Sequence, residues 1–139
     1  MASTNSLFLP KRLADAYFTG TFKAMLVTAV PSESDFDTFD FRNDIVTECG
    51  ASGTYAAGGS TVTCTVSAVD TTNNRVSVTF GNPAAWTSAT LSAAGMWIYK
   101  SIGSSATDEL VAFVDFGSVV TSTAGTFTAT ISTPLYVNR

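Results

Sequence analysis

Residues 95–117 decide the fold. They run Gly95-Met96-Trp97-Ile98-Tyr99-Lys100, then a polar stretch from Ser101 to Asp108, then Glu109-Leu110-Val111-Ala112-Phe113-Val114-Asp115-Phe116-Gly117. Two runs of aromatic and β-branched residues, separated by Gly, Ser, Thr and Asp, have the composition of neighbouring strands in one antiparallel sheet. Large side chains occupy consecutive positions in both runs, so both faces of this pair are expected to meet apolar surface, as in a central strand pair or an interface strand.

Working outward, the alternation recurs. Residues 21–28 place Phe22, Ala24 and Leu26 on one face and Lys23, Met25 and Val27 on the other, and Pro31 ends the run. Ser32-Glu33-Ser34-Asp35 supplies a capping residue and early carboxylates, which predicts a short helix reaching about Ile45, pinned to the sheet by Phe36, Phe39 and Phe41. Residues 47–60 hold four glycines among small residues and read as loop, with a short extended piece around Tyr55. From Thr61, Val62, Cys64, Val66 and Ala68 alternate with hydroxyl residues, and Val76, Val78 and Phe80 answer them across the polar turn Asp70-Thr71-Thr72-Asn73-Asn74. This pattern predicts a hairpin. Residues 86–92 form a weaker strand candidate, and a last strand is expected over 126–132, with Phe127, Ala129 and Ile131 inward. Strands at this spacing, about seven in all, predict an antiparallel β-sandwich or open barrel with one short helix. No fixed period supports a solenoid or propeller.

The first twenty residues differ from the rest. Ala2-Ser3-Thr4-Asn5-Ser6 is polar, and Leu7, Phe8, Leu9, Leu13, Tyr17 and Phe18 then surround Lys11 and Arg12. An extended N-terminal arm over residues 1–20, followed by a single β domain over 21–139, fits this pattern. Such an arm either folds back on its own domain or buries its apolar groups on a partner.

Composition narrows the function. With 139 residues the chain can bury one substantial core but not two. Hydrophobic residues make up 45% and charged residues 13%, while the net charge of −4 provides no basic field for a phosphate backbone, so nucleic-acid binding is not expected. Leu7-Phe8-Leu9 is too short for a secretory leader and is broken by Pro10, and no window has the apolar length of a membrane helix. The expectation is a protein made in a reducing cytoplasm, with Cys49 and Cys64 as free thiols and no membrane partner.

The chain has no histidine, which removes the commonest general base and metal ligand. Cys49 lies in a Gly-rich neighbourhood without a cationic neighbour to activate it. Glu33, Asp35, Asp37, Asp40, Asp44 and Glu48 form the densest acidic cluster. Phenylalanines interrupt it and the glycine of a calcium loop is missing, so a solvated helix face is the simpler reading. Asp115-Phe116-Gly117 lacks every companion motif of a kinase and reads as a strand end. No enzymatic activity, cofactor or metal is expected.

The order of several pieces carries a resemblance. Trp86-Thr87-Ser88-Ala89-Thr90, Ile98-Tyr99-Lys100, the run from Asp108 to Gly117, and Gly125-Thr126-Phe127-Thr128 together resemble a family of small tailed-bacteriophage structural proteins. The similarity extends over residues 22–131 and includes the Asp70 to Arg75 turn. It implies a virion component, most like a capsid decoration (cement) protein on the outer surface of the head, with the major capsid protein as partner. A tail or fibre-associated binding module is the alternative, and the resemblance brings no catalytic residues with it. The first twenty residues lie outside it, so a capsid-binding role for Leu7, Phe8, Leu9, Lys11, Arg12, Leu13, Tyr17 and Phe18 rests on their own chemistry. A homo-oligomer is also expected, because the two-sided apolar run 96–99 calls for cover; a trimer follows only from the usual symmetry of decoration sites.

Overall fold

The computed structural model describes Ser6 and residues 8–138, and it is mainly β. Helix α1 (Phe8–Tyr17) is followed by β1 (Thr21–Val27), α2 (Glu33–Thr38), a 3-10 turn (Arg42–Asp44), β2 (Ser60–Val62), β3 (Cys64–Val66), β4 (Arg75–Phe80), β5 (Trp86–Ser101), β6 (Glu109–Phe127) and β7 (Leu135–Asn138). The strands make two antiparallel sheets, in the orders β2-β1-β5-β6 and β3-β4-β7. Contacts divide the chain into two compact units. One contains α1, residues Thr63–Gly81 and the segment from Ile131; the other contains Thr21–Val62 and Asn82–Thr130.

In the larger unit the strand pair read from the sequence is present, with Gly95 opposite Asp115 and Trp97 opposite Phe113. The weaker candidate at residues 86–92 is the beginning of the same strand, β5. On one face, Met25, Val27, Trp97 and Tyr99 form a buried cluster against which Phe39, Ile45, Leu110 and Phe113 pack. Phe36 adds its ring 5.6 Å from Trp97 and 5.9 Å from Phe113. The other face carries Phe22, Ala24, Leu26, Met96 and Ile98, all buried. The chain therefore covers the run 96–99 by itself, which removes the reason given above for expecting a partner there.

The helix expected to reach Ile45 ends at Thr38. Ser32 opens it as the N-cap expected from the sequence, its N–H donating to the Asp35 carboxylate at 2.8 Å. After Thr38 the Asp44 carboxylate accepts the N–H groups of Phe41 and Asp40, both at 2.9 Å, and this side-chain cap replaces helical continuation with a 3-10 turn.

Two strand expectations need correction. The alternating run from Thr61 is split: Ser60–Val62 pairs with β1, whereas Cys64–Val66 pairs with β4, so the chain changes sheets at Thr63. Ala68, expected inward, is exposed. Period-2 alternation survives a change of sheet and so hides it. The last strand is Leu135–Asn138 rather than residues 126–132, although Phe127 and Ala129 are buried as expected. The segment expected as an extended arm is helical from Phe8 to Tyr17, and Pro10 sits in its first turn, where a missing N–H costs nothing.

In the smaller unit, β4 lies between β3 and β7. Asp70 closes the β3–β4 hairpin by accepting the N–H groups of Thr72 and Asn73 at 3.0 and 3.1 Å. Arg75 stacks its guanidinium over the Tyr136 ring, 3.8 Å from the centroid, and so ties β7 to β4.

Candidate interaction site on helix α1

Helix α1 divides its side chains by face. Pro10 and Ala14, one turn apart, are buried, and α1 lies against β3, β4 and β7 of its own unit. Phe18, just past its end, places its ring 6.2 Å from Phe80 of β4. Leu9 and Leu13, one turn apart, lie on the neighbouring exposed stripe with Phe8 and Arg12 beyond them, and Tyr17 lies at its border with the buried stripe. Phe8 is 59% exposed, Leu9 37%, Leu13 57% and Tyr17 36%.

The residues proposed from the sequence for capsid contact thus do not all lie together. Leu9 and Leu13 form an exposed stripe with Arg12 and Phe8 on one flank, while Tyr17, seven residues after Pro10, borders the buried stripe on the other. Lys11 is half-buried and forms an ion pair with Asp15 one turn later, so much of its charge is answered within the helix. Phe18 turns to its own unit, and Leu7 lies outside the described residues. Four large apolar side chains and one cation are carried by a helix anchored along the adjacent Pro10–Ala14 stripe. Such a surface offers apolar area and a single charge.

A second cluster, unseen from the sequence, lies in the larger unit. The Arg42 guanidinium donates through Nε to Asp108 at 2.9 Å and stands over the Tyr99 ring, 5.3 Å from its centroid. Asp108 is buried and also accepts the N–H groups of Ile102 at 2.7 Å and Gly103 at 3.1 Å. The Tyr99 hydroxyl donates to the Gly58 carbonyl at 2.6 Å, and the Gly58 N–H donates to the Glu48 carboxylate. That carboxylate also accepts the Tyr55 hydroxyl at 3.1 Å. Burial raises the Tyr99 pKa to about 12, partly countered by Arg42, and burial followed by the Glu48 charge pushes Tyr55 higher still. Both phenols therefore remain protonated donors. Arg42 and Asp108 are 66 positions apart, and no local pattern in the sequence connects them.

These groups satisfy one another and hold the loops over residues 42–59 and 102–108 against the sheet. Cys49 is buried, with its thiol 3.4 Å from the Ser92 carbonyl; burial and then the Glu48 charge push its pKa to about 11. Cys64 is half-buried, its pKa also raised by burial, and neither cysteine is in a disulfide. The acidic cluster is divided among local tasks, with Asp35 and Asp44 capping turns and Glu48 serving the two-tyrosine network. Among the described residues, no three His, Cys, Asp or Glu side chains gather as a metal site, and no helix is long and apolar enough to cross a membrane.

The fold and this surface define a mainly β chain of two antiparallel sheets that presents an amphipathic helix. No protein-family model matches the sequence, nor does any curated protein or solved structure. The resemblance to phage structural proteins rests on the residues quoted for it.

Proposed function

We propose that this chain is a non-enzymatic structural protein of a tailed-phage virion, a decoration protein that binds the major capsid protein on the outer surface of the head and stabilises it. The observation that carries the reading is the exposed stripe of Leu9 and Leu13, with Phe8 beside it and Tyr17 at its border, on a helix fixed to its own unit through Pro10 and Ala14. A helix anchored on one side loses little further freedom on docking, so apolar burial along the neighbouring stripe is not spent on ordering it. Each large side chain fully covered contributes about 1.5–3 kcal/mol, more than Arg12 supplies through a salt-screened contact. The neutral to acidic surface and the closed polar network suit a binding role better than a chemical one.

Gold labelling of the protein on whole particles tests location. Label spread over the head supports a decoration role, label confined to tails or fibres replaces it with a tail-associated binding module, and particles without label reject both.

A further inference from the structure

The loops that follow β1 and the 3-10 turn leave an open pocket beside the aromatic face of the larger unit. The Thr28 N–H donates to the Thr47 carbonyl at 2.8 Å and holds the two loops side by side. The pocket, of about 220 Å³, is lined by Val30 and Pro31 from one loop, Val46 from the other, and Phe39 and Trp97. Trp97 is 5% exposed and belongs to the core cluster, so the pocket reaches the core itself. At the surface Val46 is 89% and Val30 47% exposed, and Phe36, 44% exposed, lies against Trp97. This volume is below the roughly 300–1,000 Å³ of small-molecule sites, and it suits one large side chain of a partner.

The charge carried by this part of the chain has one sign. Residues 24–41 include Glu33, Asp35, Asp37 and Asp40 but neither lysine nor arginine. Asp35 lines the pocket, and Glu33 and Asp37 stand two positions either side of it on α2. The next cation along the chain, Arg42, is taken by buried Asp108. Among the described residues, none of those four carboxylates forms an ion pair.

We propose that this pocket docks a short basic segment of another protein, which inserts one leucine-, methionine- or phenylalanine-sized side chain beside Val30 and Val46 and sets a neighbouring lysine or arginine against the carboxylates of α2. Charge complementarity selects this occupant. A basic segment is attracted by every carboxylate near the opening, whereas an acidic one is repelled by all of them. A second copy of the chain approaches with a net charge of −4, so its overall field opposes docking here. The Thr28–Thr47 hydrogen bond and the core packing of Trp97 hold the pocket in place before anything binds, which keeps the ordering cost of docking low. The site lies in the larger unit, makes no use of α1 and does not depend on the phage reading.

Panning a library of short random peptides on the full-length chain, then titrating the enriched sequences as synthetic peptides, tests this. The enriched sequences should place lysine or arginine next to a large apolar residue, and on titration they should shift the backbone NMR signals of residues 29–31 and 46–47. Val46→Lys changes a side chain that is 89% exposed, so it should keep the wild-type thermal midpoint while weakening peptide binding at least about tenfold. Glu33→Gln combined with Asp37→Asn should weaken binding at low salt and have little effect at high salt. The proposal is overturned if no peptide is enriched, if the enriched peptides are acidic or uncharged, if binding survives Val46→Lys, or if the NMR shifts fall elsewhere. A wild-type dimer that Val46→Lys returns to single chains also overturns it, because a second copy would then be what covers the pocket.

Discussion

The hydroxyl of Tyr55 occupies the place of a neighbouring strand beside Leu26, accepting its main-chain N–H at 3.0 Å where β2 has already ended. The Leu26 carbonyl is taken by the Cys49 N–H at 2.9 Å, so a side chain and a loop together finish the ladder of β1. Tyr55→Phe retains the ring and its edge-on contact with Trp86, whose centroid is 5.3 Å away, but leaves the buried Leu26 N–H without a partner. Its expected cost is about 1–3 kcal/mol, the penalty for an unsatisfied buried donor, read as a lower urea midpoint with an unchanged slope.

Two glycines with similar backbone angles should respond very differently to alanine. Gly59, at φ +70, would place a Cβ 1.8 Å from the Ala24 carbonyl oxygen, whereas Gly117, at φ +76, has nothing within 4 Å. Gly117→Ala should cost about 1–2 kcal/mol, the penalty of left-handed backbone alone. Gly59→Ala must also displace β1 main chain, so its cost should exceed the ~0.5–3 kcal/mol of ordinary substitutions. Thermal unfolding of the two variants side by side checks the ordering.

Acid stability should depend on Asp108. Burial pushes its pKa up, but the N–H groups of Ile102 and Gly103 and the Arg42 guanidinium more than reverse this and hold the carboxyl below its ordinary value. A carboxyl with a lower pKa in the folded than in the unfolded chain contributes stability that is present above the unfolded value of about 3.9 and is lost as pH falls through the folded one. Asp108→Asn should cost about 1.5–3 kcal/mol at neutral pH, through loss of a charge-assisted hydrogen bond, and should flatten the acid side of the stability profile. Asp44, lowered by the N–H groups of Phe41 and Asp40, acts in the same direction, so the acid dependence should shrink but not vanish. Denaturant titrations from pH 7 to pH 2 provide the measurement.

What the sequence disclosed follows from the range of the interactions involved. The β5–β6 pair, the Asp70 turn and the Ser32 cap are written in residues close together, and each was legible. The change of sheet at Thr63 was not, because Val62 and Cys64 keep the same alternation whichever sheet they join. Leu135–Asn138 was missed because its four residues are too few for a period, and β4 pairing, with Arg75 on Tyr136, decides its structure. For α1, the mixture of apolar and basic residues was visible. Which of them face outward depends on Pro10 and Ala14 packing inward, and that required the tertiary structure.

The most direct test of the docking role is co-sedimentation with purified phage heads of the wild-type chain and of Leu13→Asp. Leu13 is 57% exposed, so the substitution should leave the fold and its thermal midpoint nearly unchanged, which deleting α1, with its buried Pro10 and Ala14, would not. If the α1 face anchors the protein, wild type sediments with heads and Leu13→Asp binds at least tenfold more weakly, since removing one buried leucine and burying a charge together exceed the ~1.4 kcal/mol of a tenfold change. A folded Leu13→Asp variant that binds heads with wild-type affinity, or a wild-type chain that does not bind them at all, would contradict it.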